Sequence, residues 1–284
     1  MPAPKPFVTT EPTHPDLAYA SLSEAQRLDL YLPPGPGPFP VVLALHGGGF
    51  KGGDKRRGSG LAGADALLAA GYAVASANYR LSGEAIWPAP LHDCKAAVRF
   101  LRAEAGRYNL RRRKVGVWGA SAGGHLAAML GASCGVTELE GLELGHVEQS
   151  SCVQAVIDWF GPVDFLTMDA QFEGTGHPMT HNDPDSPESL LMGAPIQTVP
   201  LKVRMANPVT YVTTLAPPCL IQHGTADHHI PPVQGKQLAE AWAVAIGPEH
   251  VTYTLFEGAG HADWQFSTDE NLALMVAFLD RYLR

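Results

Sequence analysis

Short runs of apolar residues recur along the chain, each bounded by glycine, proline or polar residues, and longer stretches of mixed character separate them. A continuous apolar run is typical of a strand buried on both faces, whereas the longer stretches have the length of helices. The pattern predicts strands at 41–45, 72–79, 114–119, 153–160, 219–224 and 251–256. It predicts helices at 60–70, 91–105, 122–132, 233–245 and 270–283.

The order of these elements indicates a sheet that is mostly parallel. Strands that alternate with helices are joined by right-handed crossovers, which place helices on both faces of the sheet. Before the first buried run, Leu28, Leu30 and Leu32 alternate weakly with other residues, as expected for an antiparallel edge strand. We therefore predict an α/β fold.

One connection, from residue 160 to residue 219, is much longer than a crossover requires, and it is rich in proline. Long excursions inside compact domains are usually lids or binding loops, so we interpret 163–212 as a lid or cap insertion. A disordered surface loop is the alternative. Within the insertion, SPESLLMG predicts a short helix with Ser186 as N-cap, Pro187 at the first helical position and Glu188 in the first turn.

Composition limits the class of protein. The 284 residues carry a formal net charge of −8, and apolar residues make up 45% of them. This charge argues against binding to nucleic acid phosphates or anionic lipid, and no apolar run approaches the ~18 residues of a membrane span. A single domain over 1–284 accounts for the length.

The opening residues are rich in proline and lack the apolar segment of a secretory signal. From the sequence we therefore expect a cytoplasmic protein or a secreted one whose leader has been removed, and the cellular compartment stays open.

The four cysteines form no CxxC pair, which argues against a zinc or redox motif. Cys94 and Cys219 lie in apolar patterns and are expected to be core thiols. Cys134 and Cys152 flank one polar excursion at 137–151. A disulfide and a pair of free thiols are both open for these two.

The sequence GASAG at 119–123 follows a predicted strand and precedes a predicted helix. In a G-x-S-x-G elbow the serine lies on a strained turn, and glycine on either side avoids collisions with neighbouring backbone. Ser121 is therefore the candidate nucleophile, at a helix N-terminus that favours developing negative charge. A serine in an ordinary glycine-rich turn is the alternative.

A serine hydroxyl needs a base to take its proton and an acid to orient that base. His261 lies in the turn EGAGHAD after the last predicted strand, and Asp227 lies in the loop HGTADHHIP after the strand at 219–224. This pair completes the chain order Ser, Asp, His. Asp263 follows the histidine and therefore comes too late in that order.

The segment HGGGF at 46–50 follows the first buried strand. Backbone N–H groups that stabilise an oxyanion favour glycine, and the residue after the nucleophile supplies a further donor. Gly48, Gly49 and Ala122 are the candidate donors. Gly47, Gly49 and Gly52 also match the dinucleotide pattern G-x-G-x-x-G, but no helix opens directly after it and no acid ends the next strand.

Four aromatic residues near the predicted catalytic edge are candidates for an acyl or aromatic pocket: Phe50, Trp87, Trp159 and Trp264. Core packing is the alternative for each of them.

Two histidine pairs, 177/181 and 228/229, suggest a metal site at first sight. Neither pair has cysteine or carboxylate partners at zinc-like spacing, so we expect no metal and no organic cofactor. His46 and His223, at strand ends, are expected to hold loops, and His125 is expected to pack.

With HGGGF, GASAGG, HGTAD and GAGH in this order, the chain resembles the α/β-hydrolase serine esterases of the hormone-sensitive-lipase type. It is more closely similar to the bacterial feruloyl-esterase-like group. That closer match runs through NYRLSGEAIWPAPLHDCKAAVRFLR and DWFGPVDF to NPVTY. The resemblance implies a mostly parallel eight-stranded sheet and a triad of Ser121, Asp227 and His261. It places Phe50 where tryptophan is commoner.

The resemblance further implies hydrolysis of carboxylic esters, with feruloyl or acetyl groups on plant polysaccharides, or aromatic polyesters, as substrates. The expected partner is a small or polymer-linked ester. An amidase or formamidase of the same fold is an alternative, as is a non-catalytic binding protein on a hydrolase scaffold.

Overall fold

The computed structural model describes residues 10–56, 61–178 and 180–284. Within these residues the strands are β1 His14–Ala18, β2 Arg27–Tyr31, β3 Phe39–Leu45, β4 Ala73–Ala77, β5 Leu110–Ala120, β6 Ala155–Trp159, β7 Cys219–Gly224 and β8 Val251–Phe256. The helices are α1 Ala64–Ala69, α2 Ala89–Ala103, α3 Ala122–Ala132, α4 Met168–Phe172, α5 Pro187–Met192, α6 Pro200–Arg204, α7 Val233–Ile246 and α8 Asp269–Leu283. Gly60, the first residue of one predicted helix, lies outside the described residues, as do residues 1–9 of the proline-rich opening.

The described strands form one sheet in the order β1-β2-β4-β3-β5-β6-β7-β8. β2 pairs antiparallel with β1 and β4, and every other pair is parallel. The predicted mostly parallel sheet is therefore confirmed. The antiparallel strand predicted from the alternating leucines is β2, but it is not an edge strand: the two edges are β1 and β8. The sequence of β1, HPDLA, has too few apolar residues to predict a strand.

Helices cover both faces of the sheet. On β3, Val41, Leu43 and Leu45 pack into a core with α2, α3 and α7, whereas Val42 and Ala44 pack into a second core with α1 and α8. This alternation follows from the two-residue period of a strand and explains why the run VVLAL is apolar at every position.

The polar excursion at 137–151 is attached to the domain by a disulfide between Cys134 and Cys152. The Nζ of Lys95 in α2 donates to Glu140 Oε1 at 2.7 Å, and the buried guanidinium of Arg99 donates to three carbonyl oxygens of the excursion. Thus Glu140 of this segment is paired with a buried cation of α2. The question left open for the two flanking cysteines is settled in favour of the bond.

The long connection between β6 and β7 contains α4, α5 and α6. The predicted short helix is α5, in which Ser186 Oγ accepts a hydrogen bond from the N–H of Ser189. Gly193 ends this helix in the left-handed conformation. The described part of the insertion therefore contains short helices joined by turns and irregular segments. Across the described residues, every helix is too short or too polar to cross a membrane.

Candidate active site

The turn between β5 and α3 holds Ser121 at φ 57° and ψ −123°, a conformation that non-glycine residues rarely adopt. Its N–H donates to the carbonyl oxygen of Trp159 at 2.9 Å. A Cβ added to Gly119 would collide with the carbonyl of Gly123, and one added to Gly123 would collide with the carbonyl of Leu45. The two glycines of GASAG are thus required because backbone passes directly against both of them.

Three side chains from distant parts of the chain form one hydrogen-bonded line. Ser121 Oγ lies 2.9 Å from His261 Nε2, and His261 Nδ1 lies 2.8 Å from Asp227 Oδ2. They follow β5, β8 and β7, whose carboxyl ends share one edge of the sheet. In this arrangement the serine hydroxyl donates to the imidazole, which can take its proton, and the Nδ1–H donates to the carboxylate.

The carboxylate of Asp227 is buried and fully engaged. Its Oδ1 accepts the N–H groups of His229 at 2.8 Å and Ile230 at 2.9 Å, and His223 Nε2 lies 3.3 Å from its Oδ2. Burial alone would raise the pKa of Asp227, but hydrogen bonds from His223 and His261 hold it well below its usual range. Asp227 is therefore ionised at neutral pH and can orient the imidazole of His261.

The glycine loop after β3 faces the same point. Gly48 has φ 120° and Gly49 has φ 59°, and a Cβ on Gly48 would collide with the carbonyl of Gly52. The N–H groups of Gly48, Gly49 and Ala122 donate to no other described residue. All three residues line the same cavity as Ser121. They are therefore free to stabilise negative charge on a ligand oxygen.

A cavity of about 520 Å³ opens onto Ser121. Besides the residues already named, its walls include Phe160 after β6 and, from the insertion, His181, Pro187 and Glu188. The ring of Phe160 meets that of His261 edge-on, with centroids 4.7 Å apart. Sequence reasoning missed these four residues. The position of Phe160 at the carboxyl end of a central strand was the available signal, whereas no local pattern indicates which part of the insertion folds over the serine.

Of the four aromatic candidates, only Phe50 lines this cavity among the described residues. Trp87 is buried beside His125, and Trp159 packs against another buried tryptophan in the core on the α8 side of the sheet. Trp264 is 61% exposed and lies outside the cavity wall. The expectation of a pocket lined by the three tryptophans is therefore not met: two serve the core and one faces solvent.

The histidines of the loops associate differently from the predicted pairs. His177 Nδ1 lies 3.0 Å from His228 Nδ1, and His181 Nε2 donates to the carbonyl of His229 at 3.0 Å. Within the described residues, no group of three or more His, Cys, Asp or Glu side chains is arranged to hold a metal ion.

The three remaining histidines of interest have structural surroundings. His46 stacks on Tyr79, whose hydroxyl donates to the carbonyl of His46 at 2.8 Å, and this holds the start of the glycine loop. His125 is buried among aromatic rings and donates to the carbonyl of Pro162; burial lowers its pKa to about 4, which keeps it neutral. His223 is buried, with its Nε2 against Oδ2 of Asp227.

An eight-stranded, mostly parallel sheet with a serine elbow after β5 and the aspartate and histidine after β7 and β8 defines an α/β hydrolase. The chain belongs to the BD-FAE family, whose model matches residues 28–242. This confirms the resemblance seen in the sequence.

Solved structures and curated proteins agree with this assignment. The structure "Truncated form of carbohydrate esterase from gut microbiota" is 32% identical, covers 94% of each chain and superposes with a TM-score of 0.84. "Bifunctional GH43-CE Bacteroides eggerthii" is 31% identical with a TM-score of 0.84, over 94% of this chain and 35% of that one. "Esterase LipC" of Mycobacterium tuberculosis is 31% identical over 224 residues, 79% of this chain and 53% of LipC. The chain spans about half the length of the curated relatives it matches.

Proposed function

We propose that this protein hydrolyses carboxylic esters through an acyl-enzyme on Ser121. The observation that carries the proposal is the 2.9 Å contact between Ser121 Oγ and His261 Nε2 in the wall of a cavity. Membership of the BD-FAE family and similarity to proteins named esterases support it.

In the first half of the reaction, His261 Nε2 takes the hydroxyl proton of Ser121 while Oγ forms a bond to the ester carbonyl carbon. The carbonyl oxygen becomes an oxyanion, and the N–H groups of Gly48, Gly49 and Ala122 stabilise it. The bond from carbon to the alcohol oxygen then breaks, and the imidazolium gives its proton to the departing alcohol. The serine is left acylated.

In the second half, water attacks the acyl-enzyme and His261 takes its proton. The bond from the carbonyl carbon to Ser121 Oγ breaks, the serine recovers its proton from the imidazolium, and the carboxylic acid leaves. Throughout, the Asp227 carboxylate stabilises the imidazolium and holds Nδ1 protonated. No step requires a metal or an organic cofactor.

We further propose feruloyl or acetyl esters of plant polysaccharides as the substrates. Carbohydrate esterases are among the similar proteins, and the cavity has the volume of a typical small-ligand site, which ranges over about 300–1,000 Å³. We propose that the chain forms one domain in which the insertion 163–212 serves as a cap. Thr180, His181 and Glu188 of this insertion line the cavity, which supports that role. Aromatic polyesters are a further substrate class to test.

The test compares the wild-type protein with Ser121→Ala on p-nitrophenyl acetate, methyl ferulate and an N-formyl amide. We expect the two esters to be hydrolysed faster than the amide and the variant to lose about 10⁴-fold or more in kcat. Ser133→Ala is the matched control, because Ser133 lies at the other end of α3 and its hydroxyl donates to Met129.

Three outcomes would change the assignment. Faster cleavage of the amide would make the protein an amidase, and binding without turnover of any substrate would make it a binding protein. Full ester hydrolysis by Ser121→Ala would remove the serine from the mechanism.

A further inference from the structure

The cavity wall contains a buried ionisable pair that the proposed reaction does not use. Glu188, in the first turn of α5, is only 3% exposed, and its Oε2 lies 3.3 Å from Nδ1 of His181. Both residues line the cavity into which Ser121 opens. Burying a carboxylate is costly unless its oxygens are paired, so this residue requires an explanation.

Two contacts hold the backbone around Glu188 in place. Ser186 caps the helix, and Pro187 packs against the glycine loop, where a Cβ on Gly49 would lie 3.3 Å from two carbons of its ring. Glu188 is therefore the next residue along the chain after the proline that packs against Gly49 of the glycine loop. Apart from the contact with His181, Glu188 makes no hydrogen bond or ion pair with another described residue. An ionised carboxylate can accept up to about four hydrogen bonds, so most of its capacity is unused.

His181 is held firmly on the other side of the pair. Its backbone N–H donates to Asp169 Oδ1 at 2.9 Å, and its Nε2 donates to the carbonyl of His229 at 3.0 Å. Because Nε2 carries a proton, Nδ1 can donate to Glu188 only when the ring is an imidazolium. Burial lowers the pKa of His181, but the Glu188 carboxylate outweighs burial and the pKa is raised overall.

The charge of this pair restricts what the carboxylate can bind. A cationic group near Glu188 would also face the ring of His181, which repels it whenever that ring is protonated, and an anionic group would face the carboxylate itself. A neutral O–H donor avoids both repulsions and satisfies an acceptor that has no other partner among the described residues.

We propose that Glu188 is a specificity-determining residue that accepts a hydrogen bond from a hydroxyl group of the ester substrate. This inference rests on the proposed esterase function and adds the chemistry of the group recognised beside the ester. The hydroxyl has two possible sources: a sugar hydroxyl in the alcohol part, or a phenolic hydroxyl in the acyl part. His181 is the positioning residue that holds the carboxylate.

The experiment measures kcat/KM for two substrate pairs that differ by one hydroxyl. In the acyl arm, methyl ferulate is compared with methyl 3,4-dimethoxycinnamate, in which the phenol is methylated. In the alcohol arm, a monoacetylated methyl xyloside is compared with its O-methylated analogue. Each pair is assayed with the wild-type protein, with Glu188→Gln, and with Glu173→Gln as a matched control on an exposed glutamate outside the cavity lining.

We expect the wild-type protein to prefer the hydroxyl-bearing member by about tenfold or more in one arm, which identifies the source. Glu188→Gln should reduce that ratio to about threefold or less, because the acceptor loses its charge, whereas Glu173→Gln should keep it. A purely structural role of the pair would change the activity on both members equally and leave the ratio intact.

The inference is overturned if both ratios in the wild-type protein are close to one, or if Glu188→Gln leaves the preference unchanged. In either case esters are still hydrolysed, so the proposed function stands. If the wild-type protein hydrolyses no ester, both proposals fall. Should Glu188→Gln not fold, Glu188→Asp, which withdraws the carboxylate by one methylene and keeps its charge, provides the same comparison of ratios.

Discussion

Replacing Asp227 with Asn tests the proposed mechanism through hydrogen bonding, with little change in shape. The Oδ1 position accepts the N–H groups of His229 and Ile230, so the amide oxygen of asparagine must take this position. The amide nitrogen then occupies the place of Oδ2, 2.8 Å from His261 Nδ1, and donates where the carboxylate accepted. This forces the imidazole into the tautomer with the proton on Nε2, which cannot take the proton of Ser121.

The loss should be large because it affects the transition state alone. Asp227 does not line the cavity, so KM should change little. The variant loses the correct tautomer and the negative charge that stabilises the imidazolium, which together are worth on the order of 10⁴ in kcat. At about 1.36 kcal/mol per tenfold change in rate, this corresponds to about 5 kcal/mol of transition-state stabilisation.

The assay is steady-state hydrolysis of p-nitrophenyl acetate, with thermal unfolding to show that the variant is folded. Asp263→Asn is the matched control: Asp263 lies two residues from His261 and accepts the N–H of Gly260 at 2.7 Å, which asparagine can also do. We expect this control to retain most of its activity. If folded Asp227→Asn keeps more than about a tenth of the wild-type kcat, or if Asp263→Asn shows the larger loss, the assignment of the acid is wrong.

Three further predictions concern stability and the elbow. Burial raises the pKa of Asp158 from 3.8 to about 6, so the folded state loses stability as pH rises through this window, by up to about 3 kcal/mol. Asp158→Asn keeps an acceptor for the N–H of Gly161, and urea unfolding should show a gain relative to wild type at pH 8 that is absent at pH 4; equal differences at both pH values would refute this. Changing Cys134 and Cys152 to alanine opens a loop with a sequence separation of 18, which should lower the free energy of unfolding by about 3 kcal/mol in chemical denaturation; an unchanged midpoint would contradict it. Gly123→Ala forces α3 away from the carbonyl ends of β3, so esterase activity should fall by about 100-fold or more, and a variant with normal kcat would show that the elbow tolerates a side chain.

The buried strands were predictable because a strand covered on both faces needs apolar residues at every position. The run at 219–224 coincides with β7, which is buried at every position, for this reason. The run at 251–256 also coincides with a strand, but β8 lies at an edge of the sheet and is only partly buried, so its position there was not predicted. The edge strand β1 could not be predicted from the sequence. Its pairing with β2 depends on backbone hydrogen bonds, and the sequence HPDLA carries no pattern that indicates them.

The same contrast holds at the site. Ser121, Asp227 and His261 could be located because each follows a strand whose carboxyl end lies at one edge of the sheet. Whether an aromatic side chain faces the cavity or the core depends on the face of the strand or loop from which it projects. The sequence near Trp159 does not indicate that face, and its side chain lies in the core on the α8 side of the sheet. The sequence placed Glu188 only in the first turn of a helix. Its contact with His181 and its position in the cavity wall depend on how the insertion folds over the sheet, which no local pattern indicates.

Covalent labelling of the nucleophile tests directly whether Ser121 is the residue that attacks the ester. The wild-type protein, Ser121→Ala and His261→Ala are each incubated with diethyl p-nitrophenyl phosphate, and the modified peptide is identified by mass spectrometry. We expect one diethylphosphoryl group per wild-type chain, on Ser121, with loss of esterase activity in proportion to labelling. Ser121→Ala should carry no label, and labelling of His261→Ala should be greatly slowed. Stoichiometric label on another residue, or inactivation of the wild-type protein while Ser121 stays unmodified, would contradict this assignment.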